Sequence, residues 1–143
     1  GCEIGNHSFS HADLTRLSKA DCQRELSDTD AEIRRVTWHE ASVVRPPYGY
    51  YNKTVMSAAG RPLILWTVDT NDWRGKAPGE IADYVIQQAK EGSVILMHDQ
   101  QTQTADAMEI IIPTLIEEGF RFVTVSELIR LTGGQCKGVK LPE

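Results

Sequence analysis

The sequence predicts an α/β domain built on parallel strands. Short apolar or β-branched runs recur along the chain, and segments with helical periodicity separate them. The runs lack the alternation of a half-exposed strand, as expected for parallel strands that are buried on both faces. With 143 residues, the chain is long enough to bury roughly 70% of its unfolded surface. The pattern alone leaves an open doubly wound sheet and a closed barrel both possible.

Five segments are predicted as strands and four as helices. The strands are expected at residues 42–45, 63–68, 93–97 and 121–125, with residues 3–5 as the end of another. The helices are expected at residues 20–36, from Pro78 to just before Gly92, from Met108 to Gly119, and at 126–131. Pro113 should kink or restart the third helix.

Composition narrows the range of partners. Fifteen Lys and Arg against twenty Asp and Glu give a net charge of −5, which argues against nucleic acid as the main partner. A neutral partner such as a sugar or a peptide fits better. No apolar run approaches the roughly 18–20 residues of a membrane span. The odd set Cys2, Cys22 and Cys136 has no C-x-x-C spacing, which favours free thiols and leaves one disulfide possible.

Titratable or turn-forming residues follow four of the predicted strands. His7 and His11 follow the first, Arg45 the second, Asp72 the third and His98 the fourth. Active sites of parallel α/β folds lie beyond the carboxyl ends of the strands. The coincidence therefore predicts an active site at this edge.

His7 and His11 are candidate metal ligands. They are four residues apart, so on a helical turn both imidazoles would project from one face and could share a metal. Ser8 stands where the zinc pattern H-E-x-x-H has its Glu. Solvated or capping histidines remain an alternative, and a two-histidine site also needs a third ligand.

Asp72 and His98 are candidates for acid catalysis. They follow consecutive strands, so the fold could bring them together, and a carboxylate raises the pKa of a neighbouring imidazole, which suits a general acid. A core histidine and a turn-capping aspartate are an equal alternative. Trp73 fits either the core or a binding wall. Arg45 is either a surface charge or part of a stiff Pro-Pro turn that fixes backbone N–H groups.

Four motifs in this order resemble those of the polysaccharide deacetylases of carbohydrate esterase family 4, the NodB-homology group. They are H-S-F-S-H at residues 7–11, R-P-P-Y-G at 45–49, D-T-N-D-W at 69–73 and L-M-H at 96–98. The resemblance implies a distorted (β/α) barrel of seven strands, with about five in this chain. It places the later two-thirds of the catalytic domain at residues 1–132 and leaves 133–143 as a polar C-terminal tail.

One motif of the family has no counterpart. The T-F-D-D-G motif, which supplies the base and a metal-binding Asp, is absent, and no Asp-Asp pair occurs. An N-terminal fragment of the same domain that carries this pair is therefore an expected partner. The resemblance implies that His7 and His11 bind a divalent metal, most often Zn²⁺, with that Asp as third protein ligand. Arg45 would orient the base.

The resemblance also implies roles for the remaining residues. The Tyr48 N–H and the metal would stabilise the oxyanion. His98 would protonate the departing amine while Asp72 holds it. Trp73 and Leu96 would line the substrate pocket with Tyr48.

The implied function is metal-dependent removal of N-acetyl groups from an N-acetylglucosamine-containing polysaccharide. Peptidoglycan and chitin-like polymers are the expected substrates, and the expected location is extracellular, in the cell wall or anchored to the membrane. O-deacetylation of xylan uses the same motifs and remains an alternative. A catalytically inactive carbohydrate-binding module is another, because the base is missing from this chain.

Overall fold

The computed structural model describes residues 1–142 and contains five α-helices and four two-residue strands in that range. The helices are α1 (Lys19–Thr37), α2 (Lys53–Ala59), α3 (Pro78–Gln88), α4 (Thr102–Glu117) and α5 (Val125–Leu131). The strands are β1 (Leu63–Ile64), β2 (Val68–Asp69), β3 (Ile95–Leu96) and β4 (Val139–Lys140). The chain forms two compact units, one of residues 1–65 with the segment from residue 124, the other of residues 66–123.

In the first unit, single parallel bridges connect three segments. Asn6 pairs with Val44, and Val44 pairs with Leu63. On the other side of β1, Ile64 pairs antiparallel with Val139 of β4. Helices α1 and α2 cover the core of this unit, whose buried side chains are Leu14, Cys22, Leu26, Val44, Val55 and Leu63.

In the second unit, β2 and β3 are parallel, and α3 packs against α4. The register pairs Val68 with Ile95 and Asp69 with Leu96. The shared core consists of Ile81, Ala82, Val85, Ala107, Ile111 and Leu115. The polypeptide between β2 and α3 and the polypeptide after β3 therefore leave the same end of this strand pair.

Local capping explains where the helices begin and end. The Ser18 hydroxyl accepts a hydrogen bond from the Asp21 N–H at 3.1 Å, which starts α1. Helix α2 is not among the predicted helices, although Asn52 caps it by accepting from the Val55 N–H at 2.9 Å and Gly60 ends it in the left-handed region. Helix α4 begins earlier than predicted and continues through Pro113 without a break.

The strands differ from the prediction in extent. The run at residues 63–68 is two strands, because β1 pairs with β4 whereas β2 pairs with β3. The run at 121–125 is not a strand. The Thr124 hydroxyl accepts from the Glu127 N–H at 3.2 Å, so the chain enters α5 at Val125.

The segment predicted as a polar tail contributes to the first unit. Its β4 pairs with β1, and the side chains of Cys136 and Val139 are buried. The sequence does not predict β4, because the surrounding residues are polar and two residues are too few to show the apolar pattern of a strand. The thiols of Cys2, Cys22 and Cys136 are all free. None of the helices within residues 1–142 has the length and apolar composition of a membrane span.

Candidate active site

The two candidate metal ligands lie on a loop and not on the expected helical turn. Residues 7–11 have no helical structure, and Ser8 and His11 adopt the left-handed region at φ 64° and 57°. The imidazoles of His7 and His11 nevertheless lie side by side, with ring centroids 4.9 Å apart and planes inclined at 79°. The two rings therefore lie together on a loop and not on the helical turn that their spacing suggests, and their binding of a shared metal stays a prediction.

Side-chain oxygens accept the backbone N–H groups of residues 8–10 in this loop. The Asn6 side-chain oxygen accepts the Ser8 N–H at 2.9 Å. The Glu25 carboxylate of α1 accepts the N–H groups of Phe9 and Ser10 at 3.0 and 2.9 Å and the Ser10 hydroxyl at 2.8 Å. These bonds, led by the one from the Ser10 N–H, lower the pKa of Glu25.

Asn6 is itself fixed by a buried polar network. Its amide nitrogen donates to the Leu26 carbonyl and to the Asp30 carboxylate, both at 2.8 Å. Arg61 pairs with the same carboxylate at 2.6 Å. The residue before His7 is therefore tied to α1 through two separate acceptors.

The tautomer of His7 suits metal binding. Its Nδ1 lies 2.6 Å from the Arg45 carbonyl oxygen, and because a carbonyl only accepts, Nδ1 carries the proton. In a neutral ring with this tautomer, Nε2 is the nitrogen whose lone pair could bind a metal. Two imidazoles fit a zinc site. However, no group of three or more His, Cys, Asp or Glu that could hold a metal occurs among residues 1–142, so the described chain supplies only part of a ligand set.

The Arg-Pro-Pro-Tyr-Gly segment forms a rigid turn beside the imidazoles. Pro46 and Pro47 are fully buried, and Tyr48 adopts φ 60°. The Tyr48 ring lies 4.8 Å from the His11 ring, edge to face. None of residues 1–142 accepts a hydrogen bond from the Tyr48 N–H. Burial lowers the pKa of Arg45, whose guanidinium lies 3.5 Å from the Leu65 carbonyl oxygen.

In the second unit, Asp72 and His98 form a hydrogen-bonded pair. The fully buried Asp72 carboxylate accepts from His98 Nδ1 at 2.8 Å and from the His98 N–H at 2.7 Å. The His98 side chain is 42% exposed, so it is not a core histidine. The prediction that the fold brings these two residues together is confirmed.

Further donors complete the environment of Asp72. The Thr104 hydroxyl donates to Oδ2 at 2.7 Å, and the Trp73 N–H donates to Oδ1 at 3.0 Å. Burial raises the pKa of Asp72, but the bonds from His98 and Thr104 outweigh it and leave the pKa below its usual value. The carboxylate therefore stays ionised and fixes the His98 ring with Nδ1–H directed at it.

The two remaining predicted residues differ in exposure. The Trp73 side chain is 54% exposed, and the Arg74 guanidinium lies 4.7 Å from its ring centroid. Leu96 is buried, and its carbonyl accepts the Thr70 hydroxyl at 2.8 Å. Trp73 thus presents a surface to solvent and Leu96 very little, so their contact with substrate stays a prediction.

Three side chains that shape the candidate site are not predicted from the sequence. Asn6 and Glu25 shape the histidine loop, and Thr104 bonds the buried carboxylate. Asn6 adjoins His7, which is a usable signal. Glu25 lies outside the apolar stripe of α1, and Thr104 precedes the start of the helix predicted from Met108, so nothing in the sequence marks either residue.

Comparison with known proteins gives a consistent result. The family model for polysaccharide deacetylases matches residues 1–62. The peptidoglycan-N-acetylmuramic acid deacetylase PdaC of Bacillus subtilis is 41% identical over 128 residues, which are 90% of this chain and 27% of that protein. The peptidoglycan-N-acetylglucosamine deacetylase PgdA of Listeria monocytogenes is 34% identical over 128 residues, 90% of this chain and 28% of that protein.

Solved structures agree with this similarity. The structure of PdaC superimposes with a TM-score of 0.88 at 39% identity, over 93% of this chain and 66% of that one. A family 4 acetyl xylan esterase from Clostridium thermocellum, solved with a cobalt ion, gives 0.87 at 33% identity, over 93% of this chain and 66% of that one.

The chain spans about a quarter of the length of the two curated relatives. Over that span, the agreement of sequence and structure confirms the predicted fold class. With the motif residues in the positions described above, the chain belongs to the polysaccharide deacetylase family, carbohydrate esterase family 4.

Proposed function

We propose that this protein is a metal-dependent deacetylase that removes N-acetyl groups from an N-acetylglucosamine-containing polysaccharide such as peptidoglycan. The names of the two curated relatives, both peptidoglycan deacetylases, support the reaction and the substrate class. The site residues supply much of what amide hydrolysis requires. We also propose that the protein acts outside the cell or at the cell wall, where such a polymer is found.

The observation that carries the proposal is the pairing of Asp72 with His98. An amine is a poor leaving group, so amide hydrolysis needs an acid at the departing nitrogen. Because the buried Asp72 holds Nδ1–H, the Nε2 atom of the half-exposed ring is the one that donates this proton. Asp72 also stabilises the protonated ring that exists before the transfer.

The histidine loop contributes the other part of the chemistry. His7 and His11 would hold a divalent metal, and the cobalt ion solved with the acetyl xylan esterase supports a metal in this family. When bound, such an ion polarises the acetyl carbonyl and lowers the pKa of a water molecule. The Tyr48 N–H, which has no acceptor among the described residues, would donate to the oxyanion that develops on the carbonyl oxygen.

The chain lacks two groups that the reaction needs. No Asp-Asp pair occurs in its sequence, and no third protein ligand accompanies the two imidazoles among residues 1–142. We propose that polypeptide outside residues 1–143 supplies the base and this ligand, and that Arg45 orients the base.

The test compares two substrates in the full-length protein. His98→Ala should lower kcat by roughly 10²–10⁴ on an N-acetylated oligosaccharide, measured as acetate release. On an activated acetyl ester the loss should be much smaller, because that leaving group scarcely needs a proton. His39→Ala is the matched control, since His39 is also exposed and its N–H bonds only the Thr37 hydroxyl in the first unit. Equal losses on the two substrates would assign His98 a structural role instead.

O-deacetylation of xylan is the second candidate function. The similarity to an acetyl xylan esterase favours it, and the same acid and metal-binding residues would serve. Parallel assays on N-acetylated chito-oligosaccharides and acetylated xylo-oligosaccharides separate the two, and activity confined to xylan would refute the proposed N-deacetylation.

A further inference from the structure

The conformation of the loop at residues 7–11 depends on side-chain acceptors. Three residues separate the two histidines, and the backbone N–H of each donates to a side chain. The Asn6 side-chain oxygen accepts the hydrogen bond from Ser8, and the Glu25 carboxylate accepts those from Phe9 and Ser10. A single carboxylate on α1 therefore accepts hydrogen bonds from two of the three backbone N–H groups between the histidines.

Without the Asn6 and Glu25 side-chain acceptors, we expect the backbone of this loop to change conformation. Ser8 and His11 both adopt the left-handed region, which is unfavourable for a residue other than glycine. Bonds to a charged carboxylate are among the stronger hydrogen bonds in proteins, so Glu25 can offset that cost. The Ser10 hydroxyl, 2.8 Å from the second carboxylate oxygen, fixes the orientation of Glu25 in turn.

We propose that Glu25 is a positioning residue that holds the imidazoles of His7 and His11 at the separation a divalent metal requires. Glu25 acts through the Phe9 and Ser10 backbone and does not contact the metal. The inference rests on the proposed function, because it assumes that the two imidazoles are ligands.

The experiment measures metal binding in the full-length protein without reference to catalysis. Zinc affinity is determined by competition with a chromophoric chelator, and Co²⁺ is added separately so that its visible spectrum reports coordination. Glu25→Ala should weaken zinc binding by roughly 10–100-fold, the usual effect of removing a group that orients ligands, and should change the cobalt spectrum. Glu25→Gln keeps one neutral acceptor oxygen and should show a smaller loss.

Glu32→Gln is the matched control. Glu32 lies on the same helix, and its substitution changes the charge equally. Among the described residues, its exposed carboxylate pairs only with Arg35, at 2.7 Å. Its zinc affinity and cobalt spectrum should equal those of the wild type. Amide hydrogen exchange gives an independent readout, since Glu25→Ala should accelerate exchange at Phe9 and Ser10 while the α1 amides stay protected.

The possible outcomes distinguish this inference from the proposed function. A wild type that binds no zinc refutes the metal site and the inference with it. A wild type that binds zinc, with both Glu25 variants binding equally well and giving the same cobalt spectrum, overturns the inference alone. If Glu25→Ala does not fold, the comparison of Glu25→Gln with Glu32→Gln decides. Weaker binding in Glu25→Gln supports the role of Glu25, and equal binding rejects it.

Discussion

Replacing Thr104 by Val isolates one hydrogen bond to the buried carboxylate. The Thr104 side chain is buried at the start of α4, and its hydroxyl donates to Asp72 Oδ2 at 2.7 Å. Val has nearly the same shape, so the substitution removes a donor and opens no cavity. The His98 N–H still donates to the same oxygen, at 2.7 Å.

The expected loss follows from the charge on the acceptor. A hydrogen bond to a charged group contributes about 1.5–3 kcal/mol. Because Oδ2 keeps a second donor, we expect Thr104→Val to lower the free energy of unfolding of the second unit by about 1.5–2 kcal/mol. Urea titration at pH 7 measures this as a shift in midpoint at constant slope. Thr104→Ser, which retains the hydroxyl, should recover most of the loss.

The pH dependence tests the origin of that loss. The pKa of Asp72 is lower in the folded state than its ordinary value of 3.8. Its ionised form therefore stabilises the fold above pH 3.8, and this contribution disappears as the pH falls through the lower folded pKa. The difference between wild type and Thr104→Val should consequently be full at neutral pH and vanish in acid.

Thr102→Val provides the control for helix propensity. Thr102 is exposed on the same helix, and within residues 1–142 its hydroxyl makes only a long contact of 3.4 Å to Gln103. The Thr102→Val substitution should change the unfolding free energy by no more than about 0.5 kcal/mol. If Thr104→Val and Thr102→Val are equally mild, or if the Thr104→Val effect is unchanged after acid has protonated Asp72 in the folded state, the assignment of the bond to an ionised Asp72 is refuted.

Two further predictions concern the site. Asp72→Asn removes the charge that holds the His98 ring, so kcat for an amide substrate should fall by roughly 10²–10⁴ in acetate-release assays. Its unfolding free energy should also lose the part of its acid sensitivity that Asp72 contributes, and a wild-type profile would contradict the lowered pKa of Asp72. His11→Ala should abolish tight zinc binding in the full-length protein, and a variant that keeps wild-type zinc affinity by equilibrium dialysis would exclude His11 as a ligand.

The sequence predicts the second unit better than the first. Asp72 and His98 follow consecutive strands, and the parallel pairing of β2 with β3 brings any such pair to one end. This inference needs only the strand order and the rule that carboxyl ends of parallel strands coincide. The inference does not depend on strand length, so it holds although β2 and β3 have only two residues each.

The histidine loop could not be predicted in the same way. The spacing of four suggests a helix, but the rings meet because Ser8 and His11 take the left-handed region and because Glu25 accepts two backbone donors. Positive φ at a non-glycine residue is rare, and no local pattern announces it. The acceptor lies fifteen or more residues away on another element, so only the fold identifies it.

The histidine loop and the Asp72–His98 pair, each taken within its own unit, obey one physical rule. In each, a carboxylate from a separate element accepts several hydrogen bonds, and this fixes an imidazole or the loop that carries it. The difference is in solvent exposure, since Asp72 is fully buried while the bonds of Glu25 lie at the surface. Salt screens interactions of exposed charges much more than those of buried ones. Zinc binding through the Glu25-supported loop should therefore weaken as ionic strength rises, whereas the Asp72–His98 pair should hold its geometry.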